Sequence, residues 1–324
     1  TDSRKEIGDR KRQEMNLHQQ TIASSVSCSG IGLHSGLMCE ITFHPAQENS
    51  GITFVRSDLA EEPSIPADVS FVTGSVRGTT LTRGKASVRT VEHVLAAFAG
   101  LQIDNAIIEL TAEEPPAMDG SAKSYVELIC KAGITTQSKE RDMLVIDREV
   151  VLKDLVSGAR IEARPSDGFC ISGTIEYNGI LGRQSIMLRN MENFRDEIAP
   201  ARTYGFLSEL KALKEAGLAK GGNLNNAVIF IDNPLNSKLR NELLEMFEID
   251  PDEIAGNNGI LNQGGLRFPD EPVRHKVLDL IGDLTLLGQP IKGEIIAQRM
   301  GHSVNIDFVK ILKKKFMQNE EVLA

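Results

Sequence analysis

Four cysteines, Cys28, Cys39, Cys130 and Cys170, are spread thinly through 324 residues, with no CxxC pair among them. So few thiols so far apart argue against a disulfide framework and against a cysteine-built zinc site. A reducing compartment, the cytoplasm, is the expected location. No apolar run approaches membrane-spanning length, so no transmembrane segment is expected. Positive charge is in deficit: 36 Lys and Arg stand against 45 Asp and Glu, a net charge of −9. That balance argues against nucleic acid as a partner. An anionic small molecule, which needs only a few local cations, stays open. Histidine is scarce as well. A metal site would have to draw on His18, His34, His44, His93, His275 and His302.

What is present suits a globular protein with a sizeable core and room for two domains: 41% hydrophobic and 25% charged residues. The first sixteen residues, TDSRKEIGDRKRQEMN, show no signal peptide and read as a disordered polar tail. From residue 22 to 72 the pattern is β, in the segments IASSVSCSG, LMCEITFHPA, GITFVRS and ADVSFV. GIGLHSG, residues 30–36, joins the first two; it reads as a hairpin turn in which His34 either is exposed or faces a ligand. Residues 73–85 form a polar, Gly-rich excursion. TVEHVLAAFAGL predicts a helix, DNAIIELTA a strand, and SAKSYVELICKAG a helix capped by Ser121. Residues 134–142 are the expected linker. A second β series follows in MLVIDREVVL, ARIEARPS, GFCISGTIEY and QSIMLR. Residues 200–232 read as strand, helix, Gly-rich turn and strand, with an apolar side at Phe206, Leu207, Leu210, Leu213 and Leu218. A helix over 237–249, a loop over 250–261 and a helix over 271–287 come next. The strand PIKGEIIAQRM, the turn GHSVN and the helix IDFVKILKKKF close the series. Each half thus opens with strands and closes with helices, without a residue-level repeat.

The helix EPVRHKVLDLIGDLTLL carries the chemistry. His275, Asp279 and Asp283 are four residues apart and share one side of a mostly apolar helix, where burying them requires partners. HxxxD on a helix is more often a surface hydrogen bond, so the rest of the chain has to decide. With His93 from the first half, His275 and Asp279 would make a three-ligand site with a position open for water, the arrangement of catalytic zinc. Ferrous iron in an oxygenase fits the same donors. Glu92, adjacent to His93, would serve as a base for a hydrolytic water. His302 would stabilise an oxyanion or protonate a leaving amine, Asp283 would orient it, and Thr203 would donate a hydroxyl hydrogen bond. A binding module with a structural metal is the non-enzymatic rival, and Glu92 disfavours it.

GIGLHSG, TVEHVLAA, MDGSA, ARTYGF, GLAKGGNLNNAV, LRFPDEPVRHKVLDLIGDL and GHSVN occur in one order from about Gln19 to Phe316. In these the chain resembles the UDP-3-O-acyl-N-acetylglucosamine deacetylases, zinc amidases of bacterial lipid A synthesis. The resemblance implies an α+β fold of two similar domains, each a two-layer sandwich, with the active site between the facing helix layers. The expected domains are 17–138, with an insertion at about 73–85, and 139–317, with an insertion at about 200–232; residues 318–324 form a second tail. It implies Zn2+ on His93, His275 and Asp279, Glu92 as base, His302 as cationic acid supported by Asp283, and Thr203 near the oxyanion. It sets Lys276 and Arg299 near the UDP diphosphate and His34 close to the site. Phe206, Leu210, Leu218, Ala219 and Gly222 are expected to line a tunnel for the acyl chain. The implied substrate is a UDP-linked acylated glucosamine, and a monomer is expected. Tyr204, where phenylalanine is frequent, and Ala219 and Asn226 depart from the pattern and bear on acyl length.

Overall fold

The computed structural model describes residues 17–232, Asn241 and 259–317. The expected tails, the helix at 237–249 apart from Asn241, and the loop at 250–258 lie outside the described residues.

Two five-stranded sheets repeat one topology. In the first the spatial order is Val26–Ile31, Met38–Pro45, Ala106–Leu110, Ile52–Arg56 and Ser64–Pro66. In the second it is Val150–Lys153, Arg160–Arg164, Glu294–Gln298, Cys170–Glu176 and Arg183–Leu188. In each, the last strand in the chain inserts at the centre, antiparallel to one neighbour and parallel to the other. Side chains alternate between the faces: Met38–Pro45 buries Cys39, Ile41 and Phe43, and Cys170–Glu176 buries Ile171, Gly173 and Ile175.

Each sheet carries two helices. On the first lie α1 (Glu92–Gly100) and α2 (Lys123–Ala132); Phe43 meets Phe98 edge-on and lies beside Tyr125. On the second lie α3 (Glu271–Thr285) and α4 (His302–Leu312), with Val277 seated over Gly173. The central strand follows α1 in the first half and α3 in the second, so the two helices are topological counterparts. They face each other, and α1 is buried on nearly every side. A single apolar core runs through both helix layers. The contact is close at Gly282, where a Cβ would collide with the Glu92 carbonyl.

Several segments differ from their sequence reading. Residues 134–140, expected as linker, form a strand paired antiparallel with His18–Ile22. Its side chains are almost all exposed, so alternation gave no signal; backbone pairing and the bond from Gln137 to the Ala46 carbonyl hold it. ADVSFV is not one strand but a 3-10 turn, Val69–Phe71, begun by Asp68 accepting from the Ser70 amide and followed by a short strand. GHSVN is the first turn of α4 rather than a loop before it, so His302 sits on a helix N-terminus. Ser121, expected as the cap of α2, lies one residue before the N-cap, Ala122, and accepts from the Lys123 amide there. The 73–85 excursion belongs to a three-stranded antiparallel sheet (Val72–Gly74, Thr80–Arg83, Ala86–Val88). Residues 200–232 hold two parallel strands, Tyr204–Phe206 and Val228–Phe230, around a short helix, Leu210–Glu215.

Gly282→Val must push α1 and α3 apart. Overpacking of this kind costs about 1–3 kcal/mol. The unfolding midpoint in urea should fall accordingly, whereas an unchanged midpoint would mean the helices separate freely there.

Candidate active site

The crossing of α1 and α3 brings together groups far apart in the chain. His93 and His275 meet edge to face with ring centroids 4.9 Å apart. Asp279 Oδ1 lies 3.2 Å from His275 Nε2 and 3.6 Å from His93 Nε2. All three residues are buried. His275 approaches the Ala201 carbonyl through Nδ1 at 3.0 Å, a bond in which Nδ1 must donate, leaving a lone pair on Nε2. Burial pushes His275 down to about 3, against the pull of Asp279, so the ring is neutral at ordinary pH. Asp279 Oδ2 accepts from Lys276 Nζ at 2.8 Å, but Oδ1 is buried without a hydrogen-bond partner among the described residues. An orphaned carboxylate oxygen facing two imidazole nitrogens fits a cation, and the donor set suits zinc or ferrous iron.

A second cluster adjoins the first. His302 Nε2 lies 3.6 Å from Glu92 Oε1 and 3.8 Å from Asp279 Oδ2. Its Nδ1 is 2.9 Å from Asp283 Oδ2. Burial alone would lower the His302 pKa, but Asp283, Glu92 and Asp279 outweigh it and raise it to about 10. Glu92 is raised as well, but by burial, which His302 and His93 only partly offset. An imidazolium and a carboxyl of raised pKa thus lie side by side, the pairing expected of an acid and a base.

These groups form the floor of a cavity of about 460 Å3. Thr203, Lys276, Arg299 and His34 all line it. Arg299, at the rim, pairs with Glu176 at 2.8 Å. His34 joins the two insertions: its Nδ1 accepts from the Ala219 amide, and its Nε2 lies 3.1 Å from the Arg77 carbonyl. Leu210, Ala219 and Gly222 line the apolar arm together with Leu213, Leu224 and Leu261. Phe206 and Leu218 are not among the lining residues. Phe206 packs instead against Tyr177 and Phe230. Tyr204 lies under Lys276 Nζ, and its hydroxyl meets that of Tyr177 at 3.0 Å. Arg77, Thr90, Ala219 and Arg299 all have positive φ, so backbone strain gathers at the cavity wall.

Sequence reasoning missed several contributors. Thr79 is fully buried; its amide donates to Glu92 Oε2 at 2.9 Å and its hydroxyl to Asp283 Oδ1 at 2.6 Å. Asn305 donates to Asp283 Oδ2 at 2.8 Å. The buried Arg202–Glu271 pair fixes the start of α3 beside Ala201, with Glu271 accepting from both the amide and the Nε of Arg202. Arg202 and Asn305 stood within ARTYGF and GHSVN, where they could have been singled out; a polar threonine in a Gly-rich excursion gave no cue.

Two facing sandwich layers with histidines and carboxylates at their crossing define an α+β protein with the donor set of a metal centre. The chain belongs to the UDP-3-O-acyl N-acetylglycosamine deacetylase family, whose sequence profile matches residues 19–246 and 249–314. The bifunctional enzyme LpxC/FabZ of Chlorobaculum tepidum is 43% identical over 94% of this chain, which spans 66% of that protein's length. The UDP-3-O-acyl-N-acetylglucosamine deacetylases of Anaeromyxobacter sp. and Myxococcus xanthus are 41% and 40% identical, over 90% and 91% of this chain and 88% and 86% of theirs.

His302, with its pKa raised above the ordinary 6.5, contributes stability that is complete below 6.5 and is lost as the pH rises through about 10. In metal-free protein, NMR titration should find its ring still protonated at about pH 8, and Asp283→Asn should lower that pKa. A wild-type ring already neutral at pH 7 would contradict the carboxylate arrangement. Asp279→Ala should purify without stoichiometric zinc, measured by elemental analysis; full occupancy would remove Asp279 from the ligand set.

Proposed function

We propose that the protein hydrolyses the 2-acetamido group of a UDP-3-O-acyl-N-acetylglucosamine, releasing acetate and the free amine, in lipid A synthesis. The observation that carries this reading is the orphaned Asp279 Oδ1 facing His93 and His275, with Glu92 and His302 beside it at the floor of a cavity with an apolar arm. The names of the relatives support the substrate class.

His93, His275 and Asp279 would hold zinc, which when bound would polarise the acetamido carbonyl and lower the pKa of an adjacent water. Glu92 accepts a proton from that water as its oxygen adds to the carbonyl carbon. Its raised pKa suits a group that must take up a proton and release it again. His302, cationic because three carboxylates surround it, stabilises the negative charge developing on the carbonyl oxygen. The Thr203 hydroxyl donates a second bond to that oxygen. The C–N bond then breaks, and a proton from His302 or from Glu92 goes to the departing nitrogen. Asp283 keeps the His302 ring oriented and charged.

Lys276 and Arg299 would meet the diphosphate as point and fork charges. Lys276 pairs with Asp279 and Arg299 with Glu176, so binding would redistribute two existing ion pairs rather than neutralise two free cations. The acyl chain would lie along Leu210, Leu213, Ala219, Gly222, Leu224 and Leu261. A monomer in the cytoplasm fits this role; no described helix is long and apolar enough to cross a membrane.

Amine release from the substrate should vanish with chelator and return with up to one equivalent of zinc. No release under any metal condition, with substrate still bound, would sink the reading in favour of a binding protein. Glu92→Gln and His302→Ala should each fold and keep zinc yet lose at least ~100-fold in kcat; near wild-type turnover would remove that residue from the mechanism.

A further inference from the structure

Thr79 connects two carboxylates that the mechanism uses separately. It is fully buried and comes from the Gly-rich excursion rather than from any of the four layer helices. Its backbone amide donates to Glu92 Oε2 at 2.9 Å, and its hydroxyl donates to Asp283 Oδ1 at 2.6 Å. The same hydroxyl is 3.4 Å from His302 Nδ1. The preceding residue has to be small: a Cβ on Gly78 would lie 3.0 Å from Glu92 Oε1 and 3.3 Å from Thr90 Oγ1.

We infer that Thr79 is a positioning residue for the deacetylation, spanning the base and the carboxylate behind the acid through the backbone and side chain of one residue. The inference rests on the function proposed above. By engaging Oε2, the amide leaves Glu92 Oε1, the oxygen on the His302 side, free to accept a proton. By engaging Oδ1, the hydroxyl leaves Asp283 Oδ2 for His302 Nδ1 and the Asn305 amide. Each carboxylate therefore has one oxygen held by Thr79 and the other turned towards His302. Because the amide and the hydroxyl belong to one residue, the spacing between Glu92 and Asp283 follows the position of the 78–79 segment. The excursion is thus part of the machinery that sets where protons sit, besides forming the cavity wall through Ser75 and Arg77.

Thr79→Val keeps the amide and the volume but removes the hydroxyl. It should lower kcat about tenfold or more with little change in KM, because the hydroxyl acts on the proton-transfer groups and touches no substrate. Thr79→Ser, which restores the hydroxyl, should recover most of kcat. Should Thr79→Val fail to fold, Thr79→Ala removes the same group with less crowding, and the comparison with Thr79→Ser is unchanged. A double-mutant cycle with Asp283→Asn separates positioning from general loosening. If Thr79 acts through Asp283, removing its hydroxyl in the Asp283→Asn background should cost at most twofold more in kcat. A kcat within twofold of wild type in both hydroxyl-lacking variants overturns the inference, and so does an equal loss in both backgrounds. If the wild-type protein itself releases no amine, the proposed function falls first and the inference with it; an active wild type with indifferent Thr79 variants refutes the inference alone.

Discussion

The rest of the molecule depends on how closely α1 and α3 cross. Both helices are buried on almost every side, and both carry ionisable groups into that interior. Asp279 is met on its own helix by Lys276, but Glu92 and Asp283 are met from other segments, by Thr79 and by Asn305 and His302. The missing Cβ at Gly282 lets the Glu92 backbone come within contact, which sets His93 of α1 against His275 and Asp279 of α3. His302 is held cationic by carboxylates from both halves, Glu92 from one and Asp279 and Asp283 from the other. Asp279 Oδ1 is buried without a hydrogen-bond partner among the described residues, and it lies beside both imidazoles.

The duplicated sheet topology explains why the crossing falls where it does. Each half places the helix that precedes its central strand at the middle of its helix layer, so counterpart helices meet when the layers face. Equivalent places need not carry equivalent chemistry. In α1 the reactive pair is adjacent, Glu92 and His93, at the helix start; in α3 the groups are spaced along the helix at His275, Asp279 and Asp283. The two insertions break the symmetry further, with one reaching the buried carboxylates through Thr79 and the other supplying the apolar arm. His34 holds both insertions together across the cavity.

Much of this was legible in the residues. The i, i+4 spacing of His275, Asp279 and Asp283 on an apolar helix raised a buried site as one reading, and the GIGLHSG, ARTYGF and GHSVN segments all reach the cavity that holds His275 and Asp279. His93, His275 and Asp279, which the fold brings together as a candidate metal site, were named from residue type and neighbourhood, as were Glu92 and His302 beside them. Bonds made by backbone or by ordinary polar residues left no such trace. Thr79 looks like any threonine of a Gly-rich loop, and only the fold brings its amide and hydroxyl between two carboxylates. Residues 134–140 lacked alternation because both faces meet solvent, so a real strand read as linker. Phe206 was expected in the tunnel from the resemblance, whereas it packs among Tyr177, Tyr204 and Phe230. His302 read as a turn residue because glycine precedes it, yet that glycine is the N-cap of α4.

The shared core also constrains how the protein is made. On the ribosome, the first sheet and α1 emerge long before residues 271–312. Until that later segment is translated, α1 has no cover on the side that α3 will occupy, and an apolar helix face carrying a carboxyl and an imidazole meets water. The first half therefore leaves the exit tunnel with that face uncovered, and Glu92 and His93 stay without their neighbours until residues 271–312 arrive. No truncated product can assemble the centre, so synthesis yields either the whole site or none of it.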